Sequence, residues 1–217
     1  MIILIAGEKG GTGKTTTAIN LSAMRAVTKD LLLIDTDKME SASNWCEWRD
    51  KFETRPRVNN VKKFGRSVET EIKALQQKYD DIIIDSAGTD SVELRSALSV
   101  VDKVIFPLLP SQFDVDTIGT LNYLVEEFKQ INETLQAYIL LNRVMPHPHS
   151  IELKLAKKFL EKNTLSDITL LSTYLCDRKV FRESVKKGMS VTEYKKDKNA
   201  IIEISSLYGE IFNEYYK

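Results

Sequence analysis

The stretch Met1–Asn20, MIILIAGEKGGTGKTTTAIN, leaves a chain few ways to fold. Four apolar residues, Ile2 to Ile5, predict a short buried strand. Gly10, Gly11 and Gly13 then interrupt regular structure, and Lys14-Thr15-Thr16 opens a helical pattern carried by Ala18, Ile19 and Leu21. Strand, glycine-rich loop and helix in that order make the frame of a phosphate-binding loop. The glycines let backbone N–H groups curl around phosphate oxygens, and the helix N-terminus adds free N–H groups and its positive dipole end. In such a loop Lys14 reaches the β- and γ-phosphates of a nucleoside triphosphate and the Thr15 hydroxyl ligates Mg²⁺.

The remainder alternates apolar runs of strand length with helical patterns. Leu31–Ile34 is apolar on both faces, as a strand between helix layers should be, and runs into Asp35-Thr36-Asp37. Ser41 or Ser43 is positioned to cap a helix whose Trp45, Trp48 and Phe52 fall at i, i+3 and i+7, a spacing that predicts a core-facing aromatic stripe ended by Pro56. Val58–Phe64 predicts a short strand, Arg66–Tyr79 a helix, and Asp81–Asp85 a second buried strand closing on an acid. A helix holding Val92, Leu94, Leu98 and Val101 follows, then a strand at Lys103–Leu109 broken by Pro107 and Pro110. Further helices are expected at Asp114–Ile131, Ile151–Leu160, Val180–Lys187 and Asn199–Tyr216, with strands at Ala137–Val144 and Ile168–Leu175. This order predicts an α/β fold, doubly wound, with a mainly parallel sheet and helices on both faces. Ligands in such sheets bind beyond the carboxyl ends of the strands, where Asp35, Asp85 and the glycine-rich loop all fall.

The loop departs from the common G-x-x-x-x-G-K-[ST] form, because Glu8 stands where a glycine is usual and Lys9 directly precedes two glycines. Lys9-Gly10-Gly11-Thr12-Gly13-Lys14-Thr15 resembles the deviant phosphate-binding loop of the ParA/MinD superfamily of ATPases. The resemblance implies one P-loop ATPase domain over residues 1–217, with ATP and Mg²⁺ as cofactors. Lys9, Gly10, Gly11, Thr12, Gly13, Lys14, Thr15 and Thr16 would cradle the nucleotide. Lys9 would be the family's second lysine, which crosses a homodimer interface to the partner's nucleotide. Asp85 matches the acid that holds Mg²⁺ through one of its waters, with Thr15 and Asp35 beside the metal. Asp37, the second acid of the D-x-D pair, would orient the attacking water, so that Lys9, Lys14 and Asp37 form the catalytic set. The family usually continues with Pro-Gln, where this chain has Lys38 and Met39.

Farther along, Phe106-Pro107-Leu108-Leu109-Pro110-Ser111 resembles the family's proline-containing loop after a core strand, which places Pro107 at the nucleotide. Leu141-Asn142-Arg143 resembles its adenine-side segment. Asn142 suits that role because an amide offers both a donor and an acceptor to a base edge, and Arg143 can stack on the base. Asp177–Ser184 followed by Gly188-Met189-Ser190-Val191 resembles the segment in which an arginine precedes a helix.

Charge is balanced overall, 31 basic against 31 acidic residues, so no global field draws the chain to nucleic acid or membrane. Its distribution is uneven: from Asn142 to the end, 14 Lys and Arg face 10 Asp and Glu. Lys179, Arg182 and Lys186 lie at i, i+3 and i+7, with Lys154 and Lys158 one helix earlier. Such faces suit sequence-independent contact with DNA phosphates. Two well-separated cysteines, Cys46 and Cys176, supply no metal or disulfide pattern and fit a reducing cytoplasm. His147 and His149, interleaved with prolines, do not suggest a metal site.

No apolar run approaches membrane-spanning length, and Ile201–Tyr216 carries Glu203, Glu210 and Glu214 without a basic residue, unlike a MinD-type membrane helix. No DNA-reading domain precedes the loop. The chain therefore resembles the short ParA form: cytoplasmic, nucleoid-associated when bound to ATP, and controlled by a ParB-like or other small DNA-binding partner. The same acids serve nucleotide binding and hydrolysis. The residues therefore leave open a nucleotide-gated DNA scaffold with negligible turnover, and a MinD-like positioning ATPase.

Overall fold

The computed structural model describes residues 1–88, 90–110, 118–146, 151–164 and 166–216. The unbroken apolar runs become strands: β1 (Ile2–Ile5), β2 (Leu31–Asp35), β4 (Asp81–Asp85) and β5 (Lys103–Leu108), every residue of them buried. With β3 (Asn59–Lys62), β6 (Gln136–Val144) and β7 (Ile168–Cys176) they form one seven-stranded sheet in the order β3-β2-β4-β1-β5-β6-β7. Every pairing is parallel. Both faces are covered, as an all-parallel sheet requires.

Two apolar layers sandwich the sheet. On one face Val68 and Ile72 of α3 (Val68–Gln76), Leu94 and Leu98 of α4 (Val92–Leu98), Leu121 and Val125 of α5 (Ile118–Lys129) and Ala156 and Leu160 of α6 (Ile151–Asn163) are buried together. On the other, Ile19 of α1 (Lys14–Arg25), Trp45 of α2 (Ser41–Lys51), Phe181 of α7 (Lys179–Val185), Val191 of α8 (Val191–Tyr194) and Leu207 of α9 (Lys198–Phe212) do the same. The doubly wound arrangement expected from the alternation is the one observed. Among the described residues no helix is long and apolar enough to cross a membrane.

Four local expectations need correction. Trp45 is fully buried, but Trp48 and Phe52 are 41% and 49% exposed; α2 buries one turn-spaced edge, and i+3 and i+7 fall on its outer side. That helix ends at Lys51, with Phe52 as its C-cap, several residues before Pro56. Pro107 does not break β5. Ile105 turns its carbonyl toward β1 and accepts from the Ala6 N–H at 2.9 Å; two residues on, Pro107 faces the same way, past the end of β1, so its missing N–H removes no ladder bond. The last helix stops at Phe212, where Asn213 turns left-handed at φ 55°. Ser111, the start of the expected Asp114–Ile131 helix, and His147 and His149 lie outside the described residues.

Strand β7 is an edge, and α9 covers it with carboxylates. Its pairing to β6 slips between Ile139 and Leu141, which frees backbone groups. Glu210 accepts the N–H of Ser172 at 2.7 Å and of Thr173 at 3.1 Å, and Glu203 accepts that of Cys176 at 3.0 Å.

Candidate functional site

Parallel register brings the sequence's acids together. Asp35 is the Cα partner of Asp85 across β2 and β4, and Asp85 is the partner of Ile5 at the end of β1, from which the glycine-rich loop departs. Three adjacent strands thus deliver two carboxylates and the loop to one edge of the sheet.

The loop is held from β6. Asn142 Nδ2 donates to the Thr12 carbonyl at 2.6 Å and Arg143 Nη1 to the Gly11 carbonyl at 3.0 Å, while Asn142 Oδ1 accepts the Arg143 N–H at 2.9 Å. Arg143 adopts φ 54° to make this clasp. Both ends of the Asn142 amide are therefore engaged, so its position serves the loop backbone before it serves a base. Gly13, at φ 96°, can only be glycine: a β-carbon there would overlap the Asn142 amide. On the opposite side, a β-carbon on Gly88 would come within 2.9 Å of the Gly10 nitrogen and 3.1 Å of Lys14 Nζ, so the segment after β4 closes tightly on the loop. Lys14, nearly buried, donates to the Lys9 carbonyl at 2.7 Å. Burial pulls its pKa down, and the nearby Asp85 and Asp37 oppose that pull.

The three acids have different surroundings. Asp35 is fully buried and satisfied: Oδ2 accepts the Ser43 N–H at 2.8 Å and Oδ1 the Asp37 N–H at 3.1 Å. It caps α2, the work expected of Ser41 or Ser43, from the end of β2. Asp37 lines the cavity and holds its own turn through the Met39 N–H, at 2.9 Å. Asp85 is fully buried, and neither carboxylate oxygen has a hydrogen-bond partner among the described residues. Burial pushes its pKa up to about 8; Thr15 and Lys14 favour the ion, while Asp35 and Asp37 repel it. An orphaned carboxylate beside a threonine hydroxyl is what a hard divalent cation requires. Asp85 and Thr15 would hold Mg²⁺. Asp35 would need to release two N–H groups to join them.

These groups border a cavity of about 410 Å³ lined by Gly10, Gly11, Gly13 to Thr16, Asp37 and Asn142, and farther out by Arg143, Phe181 and Arg182. Thr12 and Asp85, both buried, are not part of that lining, and neither is the half-buried Lys9. Pro107, inside β5, does not reach the cavity. At the outer end Asp177 joins Arg182, at 2.7 Å, and Arg143, at 3.5 Å. Asp177 was not among the expected site residues, yet it directly follows β7, which ends at Cys176, and the strand-end rule would have found it.

One residue links the two ends of this site through the protein interior. Arg49 of α2, whose N-terminus Asp35 caps, is 1% exposed. It donates to the Pro56 carbonyl at 2.6 and 2.8 Å, the Gly188 carbonyl at 2.9 Å, and Glu193 at 2.5 and 2.9 Å. The turn after α7 is thereby fixed to α2.

The five residues expected to meet DNA do not form one stripe. Lys154 and Lys158 are exposed on α6, against one face of the sheet, whereas Lys179, Arg182 and Lys186 belong to α7 and its C-cap, against the other. Lys179 pairs with Glu183 at 2.9 Å and Arg182 with Asp177, so much of the α7 charge is neutralised within the chain.

Residues 3–191 match the family model described as the CobQ/CobB/MinD/ParA nucleotide binding domain. The chain is 25% identical over 211 residues to maintenance of carboxysome distribution protein A of Halothiobacillus neapolitanus, covering 96% of this chain and 95% of that protein. It is 27% identical over 159 residues to a protein ParA of Rhizobium radiobacter, covering 70% and 68%. Among solved structures, a Cyanothece McdA variant in complex with ATP superposes with a TM-score of 0.79 at 14% identity, covering 98% and 96% of the two chains. MinD of Pyrococcus horikoshii with Mg-ADP superposes at 0.73 and 20% identity, covering 97% and 95%. Those likenesses are ones of fold. With nearly nine-tenths of its length matched by the family model and its loop, acids and parallel sheet in register, the chain belongs to the CobQ/CobB/MinD/ParA nucleotide-binding family.

Proposed function

We propose that this chain is a ParA-type positioning ATPase. With ATP and Mg²⁺ it dimerises, binds DNA without reading sequence, and hydrolyses ATP when a small partner protein stimulates it, so that a cargo is distributed over the nucleoid. The observation that carries the reading is Asp85: a buried carboxylate with no hydrogen-bond partner among the described residues, beside Thr15 and Lys14 behind a phosphate-sized loop. When bound, ATP supplies a phosphoanhydride whose negative charge Mg²⁺ offsets. The chain's own residues do the rest. Lys14 and the loop hold the phosphates, Asp37 in the cavity wall orients water, and Lys9 reaches the nucleotide of a second copy. The names of the relatives, carboxysome distribution and partition proteins, favour positioning over metabolic chemistry. Internal pairing of Lys179 and Arg182 suits weak DNA contact by one copy and useful avidity only in a dimer.

The test is light scattering combined with gel shifts on duplexes of unrelated sequence at two salt concentrations. ATP with Mg²⁺ should double the mass, and Lys9→Ala should block that. Lys14→Ala should weaken ATP binding about a hundredfold, equivalent to about 2.7 kcal/mol, with the fold intact. Asp37→Ala should dimerise, fail to turn over and hold DNA longer than wild type, with affinity falling steeply as salt rises. A mass unchanged by ATP, or a trapped dimer that ignores DNA, overturns the reading.

A further inference from the structure

Where α6 and α9 flank the β7 edge, a groove of about 380 Å³ opens beside the nucleotide cavity, and Cys176 and Arg178 border both. Its apolar wall is Met145, Pro146, Leu153, Tyr174 and Ile202, of which Met145 is 66% and Ile202 62% exposed. Large side chains left so open around a concave floor mark an interaction site more often than chance exposure does. The rim is basic. Lys198 stands four residues before Ile202 on α9, Lys157 lies over the Tyr174 ring at 5.4 Å, and Lys154 neighbours Leu153 on α6. Among the described residues none of these three ammonium groups has a carboxylate within 4 Å, whereas Lys179, Arg182 and Arg178 all do.

From this combination we infer that the groove receives an acidic amphipathic helix of a partner protein. Apolar anchors fill the floor between Met145 and Ile202, and carboxylates meet Lys154, Lys157 and Lys198. A strand could not dock there instead. Pairing with an edge needs free N–H groups, and those of Ser172, Thr173 and Cys176 are already taken by Glu210 and Glu203. DNA fits the rim lysines but not the floor, because phosphates gain nothing from Met145, Leu153 and Ile202. The groove lies apart from the α7 cations Lys179 and Arg182 invoked for DNA, and it takes Lys154, expected from the sequence to meet DNA, as one of its own contacts. Arg178 is shared with the nucleotide cavity, and it is pinned in the groove floor by Glu203 at 2.7 Å, so an occupant of the groove sits one side chain from the nucleotide site.

The test uses the full-length chain and fluorescence anisotropy with three probes. The first is a synthetic 18-residue helix with leucine at i, i+3, i+7 spacing and glutamate on its remaining face. The second is its lysine-for-glutamate counterpart, and the third a 30-base-pair duplex. The acidic helix should bind at least about tenfold more tightly than the basic one, and should not be displaced by the duplex. Ile202→Glu and Lys198→Glu should each weaken it about tenfold while ATP affinity and thermal unfolding stay at wild-type values. Equal binding of both peptides, binding of neither, or displacement by the duplex overturns the inference. So does a concentration-dependent doubling of mass without nucleotide that Ile202→Glu abolishes, since the groove would then hold a second copy.

Discussion

Glu210 accepts the N–H of Ser172 at 2.7 Å, and with the neighbouring bond to Thr173 one side chain of α9 closes the gap where β7 slips against β6. Burial raises the Glu210 pKa, but the Ser172 and Thr173 N–H groups outweigh it and hold the carboxyl below its ordinary range. A lowered carboxylate pKa stabilises the fold above the unfolded value, near 4.5, and that stability is lost as pH falls through the folded value.

Glu210→Gln should therefore lower the unfolding temperature at pH 6 to 8 and narrow its gap to wild type as pH drops below about 4. Thermal melts across that range check it; a gap that widens in acid would contradict the assignment.

Gly13 and Asn142 should behave as one unit. Gly13→Ala places a β-carbon into the Asn142 amide at a left-handed backbone position, costing about 3 kcal/mol in all and breaking the loop clasp. Asn142→Ala makes room. The double variant should lose less stability than the two single losses together, and denaturant titrations of all four proteins measure the coupling.

Asp85 predicts the opposite sign for a polar deletion. In the absence of metal and nucleotide its buried, unpartnered carboxyl has a pKa raised to about 8, which destabilises the fold increasingly as pH rises from the unfolded value toward that pKa. Asp85→Asn should stabilise the nucleotide-free chain by roughly 1–3 kcal/mol at pH 8 and by little at pH 4. It should also remove the Mg²⁺ dependence of nucleotide binding. Calorimetry at two pH values, with and without Mg²⁺, separates the two effects.

Much of this was legible in the sequence because it is local. Buried parallel strands announce themselves as unbroken apolar runs, and Asp35 and Asp85 fall at strand ends by inspection. Trp48 and Phe52 show where local reading fails: helical spacing identifies a face but not which way it points. The Asn142 and Arg143 clasp, and the five hydrogen bonds of Arg49, join segments more than a hundred residues apart or carbonyls without sequence identity. No pattern marks them. The short helix α8 is a different omission, since Ser190-Val191-Thr192-Glu193 is a capping box that spacing alone reveals, and the structure forms it.

The cysteines should be inert. Burial pushes the Cys46 thiol up to about 12 and the Cys176 thiol up to about 11, the latter helped by Glu203. Because the thiolate is the reactive form, a disulfide reagent at pH 7.5 should modify neither in the folded chain and both in denaturant. Rapid labelling of the native protein would show that one of them is accessible.

With the Gly11 and Thr12 carbonyls already bonded to β6, the phosphate loop has a fixed backbone before any anion arrives. The chain entropy of ordering it is lost during folding rather than during association. Nucleotide affinity is then free of an ordering penalty at this loop. A chain that must release and recapture nucleotide repeatedly gains from such a loop, because each cycle returns to a receptor that is already shaped.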